Sequence, residues 1–343
     1  MVTTLDDSKR MAIGEKLASM KVVQDLVIEN EQKLAAACND PEIREQLDKM
    51  LESDRKNMGI LDTVIVQYGV QGKPKETVEK MAKEIDHMMG GSELSLFEKV
   101  SQHELLKHQQ VMSGLLVHKA AQVVGADVEA AITPLNAVNF ENRAHQEQLK
   151  GVLEVLGVRE MTGQEAKQGI WARVQDAVAA VTGVAGSAIS HTDDEMNIQD
   201  IIRMDHAKVN TLFMQIEGTE DPQKIQEFFG QIYKDLTAHS EAEEQVVYPA
   251  VRSFYGEHDT QELYDEQASM KVMLDSLRAM SPTAPEFKSQ INRLKETVMD
   301  HVRQEESTMF AAIRNNCSSD QQENLATQFK TAKSQLQQQM AAQ

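Results

Sequence analysis

Apolar residues recur three and four positions apart along most of the chain, as in Leu47, Met50, Leu51, Met58, Leu61 and Ile65, or Leu135, Val138, Leu149, Val152 and Leu156. That spacing lines one face of an α-helix and does not suit a strand. Only seven prolines and seventeen glycines interrupt it and aromatic residues are 4% of the chain, so an all-α fold is expected. The Asn39-Asp40-Pro41 turn, the stretch from Gly69 to Pro74, Gly90-Gly91 and Gly125 divide the first half into predicted helices near 4–38, 41–69, 93–124 and 127–157. Asp221-Pro222, Gly256 and Ser281-Pro282 divide the second half near 198–217, 223–254, 259–280 and 285–314. Long helices joined by short turns pack as antiparallel four-helix bundles. The expected organisation is therefore an N-terminal bundle over 1–157, a linker with a bridging helix over 158–197 that carries Trp171, and a C-terminal bundle over 198–343. The last unit includes an amphipathic helix near 319–341, with Leu325, Phe329, Ala332, Leu336 and Met340 on one stripe, expected to pack on a bundle or on a neighbouring chain in a homo-oligomer.

A length of 343 residues suits two such units, at roughly 100–200 residues per domain. With 35 Lys and Arg against 54 Asp and Glu, the formal charge of -19 repels phosphate backbones, and no run of basic residues offsets it. The expectation is no nucleic-acid partner. The first ten residues hold Asp6 and Asp7 and no apolar run, and the longest weakly polar stretch, Ala177 to Ile189, is short of the ~20 residues a membrane span needs. A cytoplasmic protein without a membrane span is expected. Cys38 and Cys317 form no CxxC pair, so any metal must be held by histidine and carboxylate.

Such a set exists in the second half. His239 and Glu243 form an HxxxE pair in Leu236-Thr-Ala-His-Ser-Glu-Ala-Glu-Glu-Gln-Val-Val-Tyr-Pro249, and His301 with Glu305 form another in Asp300-His-Val-Arg-Gln-Glu-Glu-Ser-Thr-Met-Phe310. A spacing of four puts both side chains of a pair on one helix face, where imidazole nitrogen and carboxylate oxygen can meet one cation or two adjacent ones. His206, on the first helix of this bundle, adds a third imidazole. One HxxxE is more often a solvated pair, and His191 with Glu195 or His258 with Glu262 shows how cheap the spacing is. Two with matching flanks, in helices two and four of one bundle, carry more weight.

With these residues in view, residues 197–316 resemble the hemerythrin-like HHE cation-binding domains. The resemblance implies a four-helix bundle around a non-haem di-iron centre, with His206, His239 and His301 as terminal ligands and Glu243 and Glu305 as bridging carboxylates. It implies a protein that binds or senses dioxygen, peroxide or iron, with a metal ion and such a small molecule as partners. A di-iron peroxidase or ferroxidase, or a metal-depleted structural or self-assembling protein, are the alternatives. The third helix departs from the family pattern: Gln267 stands where an imidazole is usual, and a neutral amide is a weaker ligand. Glu266 or Tyr264 could substitute if that helix rotates.

The N-terminal half loosely resembles a ferritin-like bundle, although its iron motif is not reproduced. Glu31, Asp54, Asn142 and His145 interrupt apolar stripes, and His108 and His145 are expected at similar depth. A hydrogen-bonded polar layer that sets helix register is favoured there over a second metal site. His87, His103 and His118 are expected at the surface or its boundary.

Overall fold

The computed structural model describes residues 7–165, 174, 177, 178 and 196–342, and among them there are helices and no strands. The helices are α1 (Asp7–Ala37), α2 (Pro41–Tyr68), α3 (Glu76–Gly90), α4 (Leu96–Val124), α5 (Ala126–Ile132), α6 (Leu135–Thr162), α7 (Ile198–Glu217), α8 (Pro222–Ala242), α9 (Tyr248–Tyr255), α10 (Glu257–Ala279), α11 (Phe287–Gln304), α12 (Phe310–Asn316) and α13 (Ser319–Ala341). They form an N-terminal packing group, α1 to α6, and a C-terminal one, α7 to α13.

Local chemistry sets the helix ends. Asp40 caps α2 through its side-chain oxygen, which accepts from the N–H groups of Glu42 and Ile43, and Pro41 fills the first turn where no donor is needed. Asn197 and Asp221 cap α7 and α8 in the same way. Ser95 with Glu98 and Ser318 with Gln321 form capping boxes at α4 and α13. At the end of α2, Gly69 adopts φ 79°, and a Cβ there would also lie 2.8 Å from the Asp235 carboxylate.

Two boundaries differ from the sequence expectation. Residues 76–90, given no element by the sequence expectation, form α3, which lays Val78, Met81 and Ile85 against Val23, Leu26, Val27 and Leu106. The helix expected over 127–157 is two, because Thr133-Pro134 interrupts it, and its second part runs on to Gly163. The bridging helix and Trp171 expected within 158–197 lie mostly outside the described residues. No helix among the described residues is long and apolar enough to cross a membrane.

In the C-terminal group, the chain from Pro222 to Tyr255 and that from Phe287 to Asn316 are each interrupted by one π-helical turn, Glu243–Val247 and Glu305–Met309. Pro249 follows the first, and its missing N–H and bulky ring disfavour a regular α-turn there. Each π turn begins at the glutamate of an HxxxE pair. Apolar clusters lie on both sides of that level: one built on Leu212, Phe213, Phe229, Ile232, Leu274 and Leu294, the other on Ile202, Val251, Leu263, Phe310, Ile313 and Phe329. A polar layer is thus sealed between two hydrophobic slabs.

Buried charges join the two groups. Lys208 on α7 donates to the carbonyls of Gln67 and Tyr68 at 2.8 and 3.1 Å, satisfying the end of α2, and pairs with Asp235 at 2.9 Å. Arg10 pairs with Asp127 at 2.8 Å and reaches Glu227 at 3.6 Å. The amide of Gln337 on α13 donates to the Val66 carbonyl at 2.8 Å. Replacing Lys208 by Met is expected to strand the Asp235 charge and lower stability by about 3–5 kcal/mol, read from chemical denaturation. A loss under about 1 kcal/mol would show that this contact does not hold the groups together.

Candidate metal centre

Four of the five residues picked from the sequence come together. His206 from α7, His239 from α8, and Glu243 and Glu305 at the starts of the two π turns are all buried, with one donor atom of each within 4.8 Å of the others. Nε2 of His239 lies 3.1 Å from Glu243 Oε2, and Nε2 of His206 lies 3.3 Å from Glu305 Oε2. His206 Nε2, Glu243 Oε1 and Glu305 Oε2 are buried without a hydrogen-bond partner. Three orphaned atoms in one small cluster, two anionic and one imidazole, are the signature of a site shaped for a cation.

The fifth residue, His301, sits on the far side of Glu305, with Nε2 3.3 Å from Oε1 of that glutamate. Between them stands a group the sequence reading passed over. The Tyr248 hydroxyl lies 2.7 Å from Glu305 Oε1, 3.2 Å from His301 Nε2 and 3.4 Å from Glu243 Oε2. Gln267 donates to it at 2.5 Å and to Glu243 at 2.8 Å. Neither residue considered as a substitute for Gln267 faces the cluster: Glu266 accepts from His301 Nδ1 at 2.6 Å, and Tyr264 donates to the Glu244 carbonyl at 3.1 Å.

Every imidazole is aimed by a carboxylate behind it. Nδ1 of His206 bonds Glu306 at 2.8 Å, that of His239 bonds Asp205 at 2.9 Å, and that of His301 bonds Glu266. An acid on Nδ1 turns Nε2 inward and raises its basicity as a ligand. Asp205 is held in turn by Lys333 of α13, whose Phe329 packs edge-on to the His239 ring at 5.8 Å. Burial alone would depress the histidines, yet Glu243 with Asp205 pushes His239 up to about 10, and Glu305 with Glu266 pushes His301 up to about 10. Without a cation these rings hold protons, so uptake of a cation at this cluster would expel protons and would strengthen as pH rises. Asp205 and Lys333 were invisible to the motif reading, because their pairing crosses helices far apart in sequence. Replacing Lys333 by Met is expected to loosen His239 and weaken cation affinity about 10–100-fold, measured by competition with a chelator; unchanged affinity would remove α13 from the site's support.

The N-terminal group has a second cluster, Glu31, Asp54 and His145, fully enclosed. Its centre is occupied by Lys107. The ammonium pairs with Asp54, lies 3.2 Å from Glu31 and 3.0 Å from His145 Nδ1, and donates to Asn142 at 3.4 Å. The polar layer expected there therefore carries its own cation. His103, expected near the surface, is wholly buried with Nε2 3.1 Å from Glu31. His108 does not meet His145 but contacts Gln146 at 3.1 Å. The third grouping, His258, Asp259 and Glu262, is exposed and shows none of this preparation.

Burial raises Glu31 to about 8 despite Lys107, with Asp54 adding to the rise, whereas burial and then Lys107 lower His103 to about 3. A carboxyl raised in the folded state contributes stability at low pH and loses it as pH climbs toward 8. His103 acts in the opposite sense but only below its unfolded value, about 6.5. Between pH 6.5 and 8 the wild type should therefore lose about 2 kcal/mol relative to Glu31→Gln, as urea melts of both proteins would show; parallel curves would refute the assignment.

The fold and site belong to a known class. The sequence model of the hemerythrin HHE cation binding domain matches residues 197–313, and the chain belongs to the family of proteins that carry this domain. A protein of Nostoc sp. named DNA nickase is 65% identical over 345 aligned positions, covering 100% of this chain and 98% of that one. An uncharacterized hemerythrin-like protein of Schizosaccharomyces pombe is 26% identical over 140 residues, 40% of this chain and 68% of the relative. No solved structure matches the chain. The full-length relative overturns two expectations: a function in binding or sensing dioxygen, peroxide or iron, with its alternatives, and the absence of a nucleic-acid partner. Charge summed over a sequence was the wrong basis for the second, since fields from dispersed surface charge fade beyond about 8–10 Å in physiological salt.

Proposed function

We propose that this protein nicks DNA, hydrolysing one phosphodiester strand with a cation held by His206, His239, Glu243 and Glu305. The observation that carries this reading is the 65% identity, along the whole chain, to a protein named DNA nickase. The donor set supports it: two imidazoles and two carboxylates, with three atoms left unpaired, suit iron or manganese, and iron is the cation we assign. When bound, such a cation supplies Lewis-acid charge for a phosphodiester oxygen and for the water that attacks phosphorus.

The chain's own residues define the approach. His206 is 7% exposed while Glu243 and Glu305 are fully covered, so a phosphodiester comes in at the His206 edge. Arg203 stands on that edge, its guanidinium 4.9 Å from the centre of the Phe310 ring and 3.9 Å from Glu306, and half its side chain faces solvent. It offers a fixed positive charge for a phosphate oxygen. Glu306 is a carboxylate at neutral pH, and the hydrogen bond from His206 lowers its pKa further. It is the group we assign to accept the proton of the attacking water. A lone site of this kind breaks one strand per encounter.

Local charge also favours contact with DNA more than the total suggests. Lys75, ahead of α3, lies close enough to Lys16 of α1 to help depress its pKa, after burial, and Lys73 is exposed beside them. In this reading the unit over 198–343 carries the chemistry and the unit over 1–157 adds backbone contacts. Supercoiled plasmid incubated with the protein and Fe(II) or Mn(II) should convert to open circles, and a chelator should stop the conversion. His239→Ala and Glu305→Gln should each slow it by about 100-fold or more. Undiminished nicking in both variants would move the chemistry out of this cluster, and a wild type that never nicks would end the proposal.

A further inference from the structure

The resemblance to hemerythrin-like domains implies a pair of cations bridged by Glu243 and Glu305. We infer that this bundle instead holds a single divalent transition-metal cation, and that the Tyr248 hydroxyl closes the position where a second would sit. The inference rests on reading the cluster as a cation site, and concerns what that site admits.

The two oxygens of each carboxylate differ. Glu305 Oε2, 3.3 Å from His206 Nε2, and Glu243 Oε1 lack hydrogen-bond partners. The other oxygens are in use: Glu305 Oε1 accepts from Tyr248, and Glu243 Oε2, 3.1 Å from His239 Nε2, accepts from Gln267. A bridging carboxylate needs both of its oxygens free for metal, and here each has one committed to a proton donor. A second cation would have to displace the phenol from Glu305, His301 and Gln267 together.

Sterics and ligand chemistry agree. Tyr248 is wholly buried, its ring packed edge-on against Tyr264 at 5.1 Å, so the hydroxyl has little room to swing aside. It follows Glu243 by five residues, and the π turn between them brings the ring to the level of the glutamate that opens it. What is left for a second cation is His301 Nε2 and the neutral Gln267 oxygen, which has no partner. One imidazole and one amide bind a transition metal weakly. Gln267 thus does two things that a histidine could not do at once: its amide donates to both the phenol and Glu243, holding each where it closes the position.

The test is metal stoichiometry in the full-length chain. Stripped with chelator, reloaded with Mn(II) and dialysed, the wild type should retain one ion per chain and give the six-line magnetic resonance spectrum of an isolated ion. Tyr248→Phe with Gln267→His, which removes the hydroxyl and restores an imidazole, should retain two ions with an exchange-coupled spectrum. Two ions in the wild type overturn the inference while leaving the cation site in place. One ion in both proteins overturns the role given to Tyr248. No ion in the wild type overturns the cation site itself, and this inference with it; the wild-type measurement stands even if the double variant fails to fold.

Discussion

Charge buried in a helical bundle must be neutralised within a few ångströms, because an isolated ion in that medium costs several kcal/mol or more. Both packing groups place carboxylates and histidines at mid-depth between apolar slabs, and each answers this constraint differently. In the N-terminal group Lys107 is the counter-charge, covalently part of the chain and in reach of Glu31, Asp54, Asn142 and His145 at once. In the C-terminal group no lysine enters the cluster. Glu243 and Glu305 are balanced by protons on histidines or by a cation that displaces them. The first layer is complete as folded; the second is responsive to what binds it.

That difference ties architecture to chemistry. The carboxylates behind the histidines fix which nitrogen points inward, and Asp205, the one behind His239, is supported from far along the chain by Lys333 of α13. Helix α13 is therefore part of the site, expected from sequence to pack on a bundle or a neighbour and found along α7 and α8 of its own group. The same helix touches the N-terminal group through Gln337, next to the Lys208 clamp on α2. A shift of His239 has a short physical route, Asp205 to Lys333 to α13, by which it reaches the boundary between the two groups.

The fold was legible where local chemistry fixes it. Pro41, Pro222, Asn197 and Ser318 mark helix starts, and apolar periodicity marks their faces, so most helices appear within a few residues of their expected bounds. Helix α3 was missed because its apolar residues are few among lysines and glutamates and glycines flank it. The HxxxE pairs were legible because residues four apart share a face whatever the tertiary structure. What lay beyond the sequence was everything set by helix rotation and by the π turns. Tyr248 belongs to a motif already in view, yet its intrusion between Glu305 and His301 depends on one inserted residue in a turn. Lys107 was unreadable for a like reason: its partners come from α1, α2 and α6, and no spacing within α4 announces them.

Net charge misled most, and the buried layers explain part of the error. Among the described residues eight acids, Glu31, Asp54, Asp127, Asp205, Glu227, Asp235, Glu243 and Glu305, are buried against four bases, Arg10, Lys107, Lys208 and Lys333. That formal excess sits in the cores, where the proton that Glu31 keeps at neutral pH, histidine protons or a bound cation offset it, and it adds little to the field at the surface. A formal total of -19 therefore overstates the repulsion at the surface. The remaining acidity is spread over helix faces and screened by salt, whereas a phosphate responds to what lies within a Debye length. At the His206 edge that means Arg203 and a cation behind it; near α3 it means Lys16, Lys73 and Lys75. If the proposed reading holds, an acidic protein built this way holds DNA weakly and only at such points, which suits an activity that leaves its substrate after one cut.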